Sequence, residues 1–356
     1  MVPFRSVAVT ALLACAGFPA ASQAQLNVLC SVPVEWCNQA ATEFEKDTGV
    51  KVAMTPKLPR HALALLGEQS PNPRTDVWFG GTADTHLHAA KLDFLAEYKS
   101  PTLPQLQPWA QKLAEQSKFK SVGVYLRVLG IGYNTELVTR KKVAAPACWK
   151  DLIKPEFAGE VQIEDPRTSN SAYLTIVALT QIFGEDQAFK YLKSMRKVAP
   201  QKKSSGAEAL KSVTKARPAA VPGAGVAPVV FSGSIASVAF VNDVAAGAEG
   251  GAPLKVAAPC EGTASDVGAL SIVKGAKNLD NAKKFAEWAL GPKGQAVGAK
   301  AKQLQYPANT SVPASPLVPK FADIKFIDYD SAKYDKSAER KRLIDRWEGV
   351  FGPPSR

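Results

Sequence analysis

Strand-like and helix-like segments alternate along the first hundred residues, and this order restricts the possible folds more than any other feature of the sequence. Short apolar runs at 26–30, 50–55 and 76–79 have the composition of buried strands. Between the first two runs, residues 34–46 have helical spacing of their apolar side chains, and Gly49 supplies a helix stop. Strands that alternate with helices form parallel sheets covered by helices, so the sequence predicts an α/β fold.

A second alternating unit begins near residue 145. An apolar strand at 161–164 precedes a long helical segment at 171–183, with the polar loop 165–170 between them. The chain has 356 residues, which is too long for one ordinary hydrophobic core. The sequence therefore predicts two lobes, each with its own sheet.

Two apolar runs lie between these units. Residues 122–128 and 131–134 read as strands that are separated only by Leu129 and Gly130. Such strands either pair with each other or cross from one lobe to the other, and the pattern does not decide between these arrangements.

The N-terminus has the features of an export signal. Arg5 is its only charge, residues 7–16 are mostly apolar, and small residues precede a cleavage site after Ala24. We interpret residues 1–24 as a signal peptide and expect a periplasmic protein. The run LLAC at 12–15 resembles a lipobox and offers an alternative, in which Cys15 carries a lipid. We favour cleavage after Ala24 over lipidation, because the leader that ends at Ala24 is longer and better formed.

Four cysteines follow the leader, and an even number in an exported chain favours disulfides. Three pairings are possible. We favour Cys30–Cys37 together with Cys148–Cys260, because Cys30 ends a strand and Cys37 lies about one turn into the next helix. A zinc site is disfavoured, since the spacing lacks the paired C-x-x-C pattern.

The formal net charge is +12, but lysine and arginine are scattered among acidic residues. Nucleic-acid binding normally needs a basic stripe, so we expect no nucleic-acid partner. A small anionic solute is a better, although weak, reason for the positive balance.

Polar side chains follow the predicted strands at their carboxyl ends. Open α/β sheets bind ligands beyond these ends, and helix N-termini with free N–H groups attract anions. Each serine or threonine taken alone also fits an ordinary helix cap. Arg60 and Arg167 lie nearby, where solvent exposure is the simpler interpretation. The predicted ligand-binding residues are Ser31, Thr82, Thr168, Ser169, Ser171, Ser205, Asn242, Asp243 and Glu261.

Catalytic and metal-binding alternatives have little support in the sequence. His86 and His88 are two residues apart, so they do not form the i, i+4 pair of a helical metal site. The segment SVTK at 212–215 matches S-x-x-K but lacks the companion motifs of an exported serine hydrolase. A ferric-ion receptor would need clustered tyrosines, and no Tyr-Tyr pair occurs. We expect no enzyme activity and no cofactor.

Several motifs together resemble the extracellular solute-binding proteins of ABC importers, in the cluster with ferric-ion, sugar-phosphate and phosphonate receptors. The matching segments are DVWFGGT at 76–82, DPRTSNSAY at 165–173, PCEGT at 259–263, GALSIVKGAKNL at 268–279 and RKRLIDRW at 340–347. The resemblance covers nearly the whole chain after the leader.

The resemblance implies a two-lobe periplasmic-binding-protein fold of type II, in which mixed sheets flanked by helices are joined by crossing strands. Lobe 1 is then residues 25–125 with 266–310, and lobe 2 is 126–265 with 311–356. The resemblance also implies a monomer that closes on its solute and docks on a membrane permease with a cytoplasmic ATPase.

Within that cluster the chain is most similar to sugar-phosphate receptors, in which hydroxyls bind the phosphate and a His-Asp pair with a glutamate binds the sugar. The matching positions are Thr82, Ser169 and Ser171 for the phosphate, and Asn242, Asp243 and Glu261 for the sugar. Asn242 replaces the histidine, Asn170 replaces a loop glycine, and Ser265-Asp266 replaces a Tyr-Glu pair, so the identity of the anion stays open.

Overall fold

The computed structural model describes residues 25–199, 202–203, 213, 216–218, 229–231, 236–334 and 336–352. The proposed signal peptide, Cys15 and Ser205 lie outside the described residues. None of the described helices is long and apolar enough to cross a membrane.

The strands are numbered in chain order. They are β1 (Leu26–Ser31), β2 (Val52–Pro56), β3 (Val77–Thr82), β4 (Val122–Asn134), β5 (Val161–Glu164), β6 (Lys202–Lys203), β7 (Ala216–Pro218), β8 (Val229–Phe231), β9 (Ala236–Phe240), β10 (Leu254–Ala257), β11 (Ser265–Ile272) and β12 (Tyr306–Pro307). Strands β7 and β8 form a separate antiparallel pair.

The helices follow the same numbering. They are α1 (Val34–Thr48), α2 (Pro59–Gln69), α3 (Ala83–Lys91), α4 (Pro108–Gln116), α5 (Thr135–Lys141), α6 (Asn170–Phe183), α7 (Glu185–Val198), α8 (Val241–Glu249), α9 (Leu279–Leu290), α10 (Pro292–Lys300), α11 (Ser331–Tyr334) and α12 (Ser337–Phe351). Short 3₁₀ helices include Trp149–Ile153.

The main sheet is mixed, as expected from the alternating pattern with return strands. Its order is β2-β1-β3-β11-β4-β9-β5-β6, with β10 and β12 also paired to β4. Strand β1 is parallel to β2 and β3, and β5 is parallel to β9, whereas β11 runs antiparallel to both β3 and β4. Parallel strands need crossover helices, and this requirement explains why helices cover the sheet.

Strand β4 is the element that joins the two halves of the sheet. Its first part, up to Val128, pairs with β11, and its second part, from Leu129, pairs with β9. The two predicted strands are therefore one continuous crossing strand. Gly130 does not mark a turn there; a Cβ at this position would lie 2.6 Å from Val241 Cγ1, so glycine permits close packing of α8 on the strand.

Two large hydrophobic cores flank this crossing strand. One surrounds Phe44, Phe79 and Phe285, and the other surrounds Trp149 and Tyr173. We refer to the parts of the molecule around them as lobe 1 and lobe 2. This arrangement matches the two-lobe periplasmic-binding-protein fold, whereas the residue limits of the lobes stay a prediction.

Each lobe contains one disulfide. Cys30 is bonded to Cys37 in lobe 1, and Cys148 is bonded to Cys260 in lobe 2. The favoured pairing is therefore confirmed. The first bond closes a loop with a sequence separation of 7, whereas the second spans a separation of 112.

Candidate functional site

Lobe 1 contributes the strand end of β3 to the candidate site. Gly80 and Gly81 have φ values of 78° and 89°, in the region that favours glycine. A Cβ on Gly80 would lie 2.4 Å from Val32 Cγ1, so no larger residue fits there without movement. Thr82 then occupies the N-cap of α3 without a side-chain cap bond. Because the first N–H groups of a helix lack internal partners, this end attracts an anion.

A buried histidine holds this strand end in place. His86 Nε2 lies 2.9 Å from the carbonyl of Gly80, and Nδ1 lies 2.8 Å from Ser271 Oγ. A carbonyl only accepts, so Nε2 bears the proton and Nδ1 accepts from Ser271. The ring also stacks on Trp78 at 3.8 Å. Burial lowers the pKa of His86 to about 4, so it stays neutral at ordinary pH.

Ser31 lies at the end of β1, beside this wall. Its hydroxyl donates to the carbonyl of Lys57 at 2.8 Å and accepts from Trp78 Nε1 at 2.9 Å. The hydroxyl hydrogen of Ser31 is therefore used in a hydrogen bond within the protein. In this conformation Thr82, whose hydroxyl makes only a long 3.4 Å contact with Thr85 Oγ1, is better placed to donate to a ligand.

Lobe 2 contributes a buried carboxylate that the sequence patterns did not single out. Glu164 ends β5 and is 4% exposed. One of its oxygens accepts hydrogen bonds from the hydroxyls of Ser169 and Ser171, the latter at 2.6 Å. The other oxygen is buried and has no hydrogen-bond partner. Burial raises the pKa of Glu164, which reflects the cost of an ionised group in this position.

This contact changes the expected role of the two serines. Ser169 is the N-cap of α6, as its position predicted, and it accepts from the N–H of Ala172 at 3.4 Å. Both hydroxyl hydrogens are directed at Glu164 in this conformation. Anion binding by Ser169 and Ser171 therefore stays a prediction, and the group presented here is a hydrogen-bond acceptor.

Asp243 and its neighbours form the base of the candidate site. Asn242 donates to Asp243 at 2.7 Å, while the amide oxygen of Asn242 is buried without a partner. Burial raises the pKa of Asp243, and the positive charge of Arg127 opposes this shift. The negative charge of Asp243 in turn contributes to the raised pKa of Glu164. These groups are therefore close enough to act as one electrostatic unit.

Arg127 extends this unit onto the crossing strand. It pairs with Asp266, which lies directly opposite on β11, and its guanidinium lies 4.2 Å from the ring of Phe240. Burial disfavours the charged form, but Asp266 holds the pKa of Arg127 above its ordinary value. Its Nε is buried and has no partner. A polar group of the solute that accepts this N–H would satisfy it.

A second arginine enters from the C-terminal helix α12. Arg340 lies 4.0 Å from the ring of Tyr173 and donates to the side-chain oxygen of Asn170 at 3.4 Å, so it contacts the start of α6. Burial lowers the pKa of Arg340, and the charge of Arg60 acts in the same direction, while Asp84 opposes it. Arg60 and Asp84 lie at the starts of α2 and α3 in lobe 1. The charges that act on the pKa of Arg340 therefore include two from lobe 1.

Three of the other candidates have partners within the protein. Glu261 accepts from the N–H groups of Trp149 and Lys150 at 2.7 and 3.0 Å, so it caps a 3₁₀ helix beside the Cys148–Cys260 bond. Thr168 is exposed, and its hydroxyl donates to Asp165 O at 3.3 Å. Arg167 pairs with Asp165 and Glu348. Among the described residues, the hydrogen-bond partners of Glu261 belong to the segments around Trp149 and Cys260 and not to Glu164 or Asp243.

Four charged residues near the candidate site are absent from the ligand-binding residues that the sequence predicted: Glu164, Arg127, Asp266 and Arg340. A signal existed for two of them. Glu164 is a charged residue at the end of a buried strand, and Arg127 is the one charge in the 13-residue strand β4. Lone charges at such positions are costly unless they have a partner or a function. Arg340 gives no such signal, because it belongs to a helix rich in exposed charges.

A metal centre has little support in the described part of the chain. The one group of three possible ligands there is Cys148, Cys260 and Glu261, and both cysteines are in a disulfide. The hydroxyls of Tyr173, Tyr191 and Tyr306 donate to backbone carbonyls at 2.6–2.7 Å. These contacts leave the three tyrosine hydroxyls hydrogen-bonded within the protein.

A two-lobe α/β fold with polar strand ends facing a cleft defines a solute receptor, and comparison with known proteins agrees. Residues 75–334 match the family described as bacterial extracellular solute-binding protein, and the chain belongs to this family. Its members are binding proteins of ABC importers and not enzymes, so the hydrolase alternative is set aside.

One relative covers almost the full length. An uncharacterized protein of Haemophilus influenzae (strain ATCC 51907 / DSM 11121 / KW20 / Rd) is 34% identical over 351 residues, which is 96% of each chain. This similarity supports the family but names no ligand.

Two solved structures are similar in both sequence and fold. The periplasmic binding protein AfuA from Actinobacillus pleuropneumoniae, with exogenous fructose-6-phosphate bound, is 35% identical with a TM-score of 0.72 and covers 93% of this chain and 99% of its own. The periplasmic binding protein P5PA is 31% identical with a TM-score of 0.71, covering 92% and 99%.

Proposed function

We propose that this protein is a periplasmic receptor that captures a small anionic solute, such as a phosphorylated sugar or a phosphonate, and delivers it to an ABC permease. The arrangement of helix N-termini supports the proposal. We take the N-terminal ends of α2 and α3 in lobe 1 and of α6 in lobe 2 to face one cleft, since Arg340 contacts Asn170 at the start of α6 and the charges of Arg60 and Asp84 act on its pKa. Helix N-termini are positive ends that favour an anion between them.

The base of the cleft supplies the opposite chemistry. Glu164, Asp243 and Asp266 are carboxylates with raised pKa values, and burial is the largest cause for each. Arg127 compensates Asp243 and Asp266, whereas one carboxylate oxygen of Glu164 is buried without a hydrogen-bond partner. Buried acceptors without partners favour ligand groups that donate hydrogen bonds. A solute with an anionic end and several hydroxyls, or an amine, fits both ends of this cleft.

The related structure supports this class of solute. AfuA holds fructose-6-phosphate, which has an anionic group and hydroxyl donors. The 35% identity over 93% of this chain supports a solute of the same chemical class for this protein. Asn242 takes the place of the histidine of sugar-phosphate receptors, so the same hexose phosphate does not follow from the similarity.

The cellular setting follows from the family. We propose that residues 1–24 direct export and are removed after Ala24, with the protein acting as a monomer in the periplasm. Binding then stabilises a closed state through contacts to both lobes, and the permease with its ATPase receives the solute.

Native mass spectrometry of freshly purified protein tests this function, because closed receptors retain their solute. We expect the protein to carry a bound small molecule whose mass matches an anionic solute. After removal of that ligand, calorimetry with fructose 6-phosphate, inorganic phosphate, fructose and putrescine should show binding only for anions. Binding of putrescine alone, or an iron-loaded preparation without an anionic solute, would contradict the proposal.

A further inference from the structure

Arg340 differs from the other arginines of the same helix. Arg342 pairs with Glu185 and Glu339, and Arg346 pairs with Glu185 and Asp186. Among the described residues, the ion pairs within 4.0 Å include no carboxylate partner for Arg340, whose polar contact is the 3.4 Å bond to Asn170. Arg340 is nevertheless partly buried.

The surroundings of Arg340 fix its position without neutralising its charge. The ring of Tyr173 lies against the guanidinium at 4.0 Å, and Tyr173 is itself held by a 2.6 Å bond from its hydroxyl to Tyr334 O. Stacking covers the face of a guanidinium and leaves its N–H edge available. Of the five N–H donors of an arginine, one is used by Asn170.

A like charge from the other lobe acts on the pKa of Arg340. Arg60 is exposed at the start of α2, next to Pro59, which lies within 3.3 Å of the position that a Cβ of Gly81 would occupy. Burial is the main cause that lowers the pKa of Arg340, and the charge of Arg60 acts in the same direction; Tyr173, Asp84 and Tyr329 oppose the shift, which stays downward. Bringing the lobes together therefore places two guanidinium groups closer in a poorly hydrated cleft.

We propose that Arg340 binds the anionic group of the solute directly and that this anion, placed between Arg340 and Arg60, makes closure of the lobes favourable. The inference rests on the proposed function and deepens it by naming the residue that recognises the anion. Without an anion the two cations repel each other; an anion of charge −2 replaces this repulsion by two attractions. Specificity for anions then resides in α12, while the acceptor groups at the base select the rest of the solute.

The test compares matched substitutions on one helix. Arg340→Gln removes the charge, Arg340→Lys keeps it without the planar donor set, and Arg342→Gln removes a paired, half-exposed charge two residues away. Calorimetry with ligand-free protein uses fructose 6-phosphate and the neutral sugar fructose as probes, and small-angle scattering reports closure.

The expected result is a loss of about 10- to 100-fold in affinity for fructose 6-phosphate in Arg340→Gln, the usual range for one charge-assisted contact. Arg340→Lys should recover part of this loss, and Arg342→Gln should bind within about 2-fold of wild type. Scattering should show that the anion closes the wild type but not Arg340→Gln.

Two results would overturn the inference while leaving the proposed function intact. One is wild-type affinity in Arg340→Gln. The other is an equal loss of affinity for fructose 6-phosphate in Arg340→Gln and Arg342→Gln, since a general effect of charge removal on α12 would weaken both variants alike. If the wild type binds none of the anions in the panel above, the proposed function fails first and the role of Arg340 fails with it.

Discussion

The two walls of the cleft are built from different chemistry. The wall of lobe 1 consists of the Gly80-Gly81 strand end, the open N-terminus of α3 and the neutral ring of His86. The wall of lobe 2 is built around the buried carboxylate of Glu164, with Asp243 nearby. Lobe 1 thus offers donors, and lobe 2 offers acceptors around Glu164 together with the cationic donor Arg340 on α12. A solute that bridges the lobes needs complementary groups at its two ends.

The same difference predicts opposite responses of the two walls to acid. His86 is buried in its neutral form, so mild acid favours the unfolded state, in which the ring can gain a proton. Glu164 is buried with a raised pKa, so mild acid relieves the cost of its charge. The lobes therefore differ in stability behaviour as well as in the ligand groups they present.

The disulfides give the largest expected difference between the lobes. Replacing Cys148 and Cys260 by alanine should lower the free energy of unfolding by about 5 kcal/mol, because the bond spans a separation of 112. Replacing Cys30 and Cys37 should cost only about 2 kcal/mol for a separation of 7. Urea unfolding of both double variants checks this. Equal costs would show that the unfolded chain keeps residues 148 and 260 close together.

The second prediction concerns pH and lobe 1. His86 has a pKa of about 4 in the folded state, against about 6.5 unfolded. Its contribution is fully present above pH 6.5 and falls by about 1.4 kcal/mol for each pH unit between 6.5 and 4. His86→Gln should lose stability at pH 7 but show a shallower slope over this window in urea unfolding. An unchanged slope would contradict the buried neutral histidine.

The smallest expected effect concerns lobe 2. Glu164→Gln keeps an acceptor for Ser169 and Ser171 but removes the buried charge. Because the folded pKa of Glu164 is raised, its ionisation costs stability above that pKa, and this cost disappears below the unfolded value near pH 4.3. The variant should therefore gain on the order of 1 kcal/mol at pH 7 and nothing at pH 4. Urea unfolding of the Glu164→Gln variant checks this. A lower free energy of unfolding than wild type at pH 7 would show that the charge of Glu164 is stabilising.

Local sequence patterns predicted most of the elements near the cleft. The helix that begins at Asn170 and the strands β1, β3 and β5 lie where hydrophobic periodicity and cap residues placed them. The break expected between residues 128 and 131 is absent, because Gly130 serves close packing against Val241 and not a turn. A single glycine in a strand has the same local signature in both situations.

The predicted site residues divide according to what else each could contact. Thr82 and Asp243 stay predicted ligand contacts, but Glu261 is occupied by two N–H groups of a 3₁₀ helix. That helix is more than a hundred residues away in sequence, and the Cys148–Cys260 bond brings it there. The sequence shows that a polar group follows a strand, but it does not show which distant backbone donor forms a hydrogen bond with that group.

By itself the sequence determined the alternation of strands and helices and the family of the protein, and it favoured, without deciding, the cysteine pairing that the structure shows. These features depend on local periodicity, on export and on motifs that are each contiguous in the chain. Tertiary structure alone decided which charges meet in the cleft. Arg340, Arg60 and Glu164 come from distant segments, and whether a charge is paired or left facing a cleft depends on neighbours that only folding brings together.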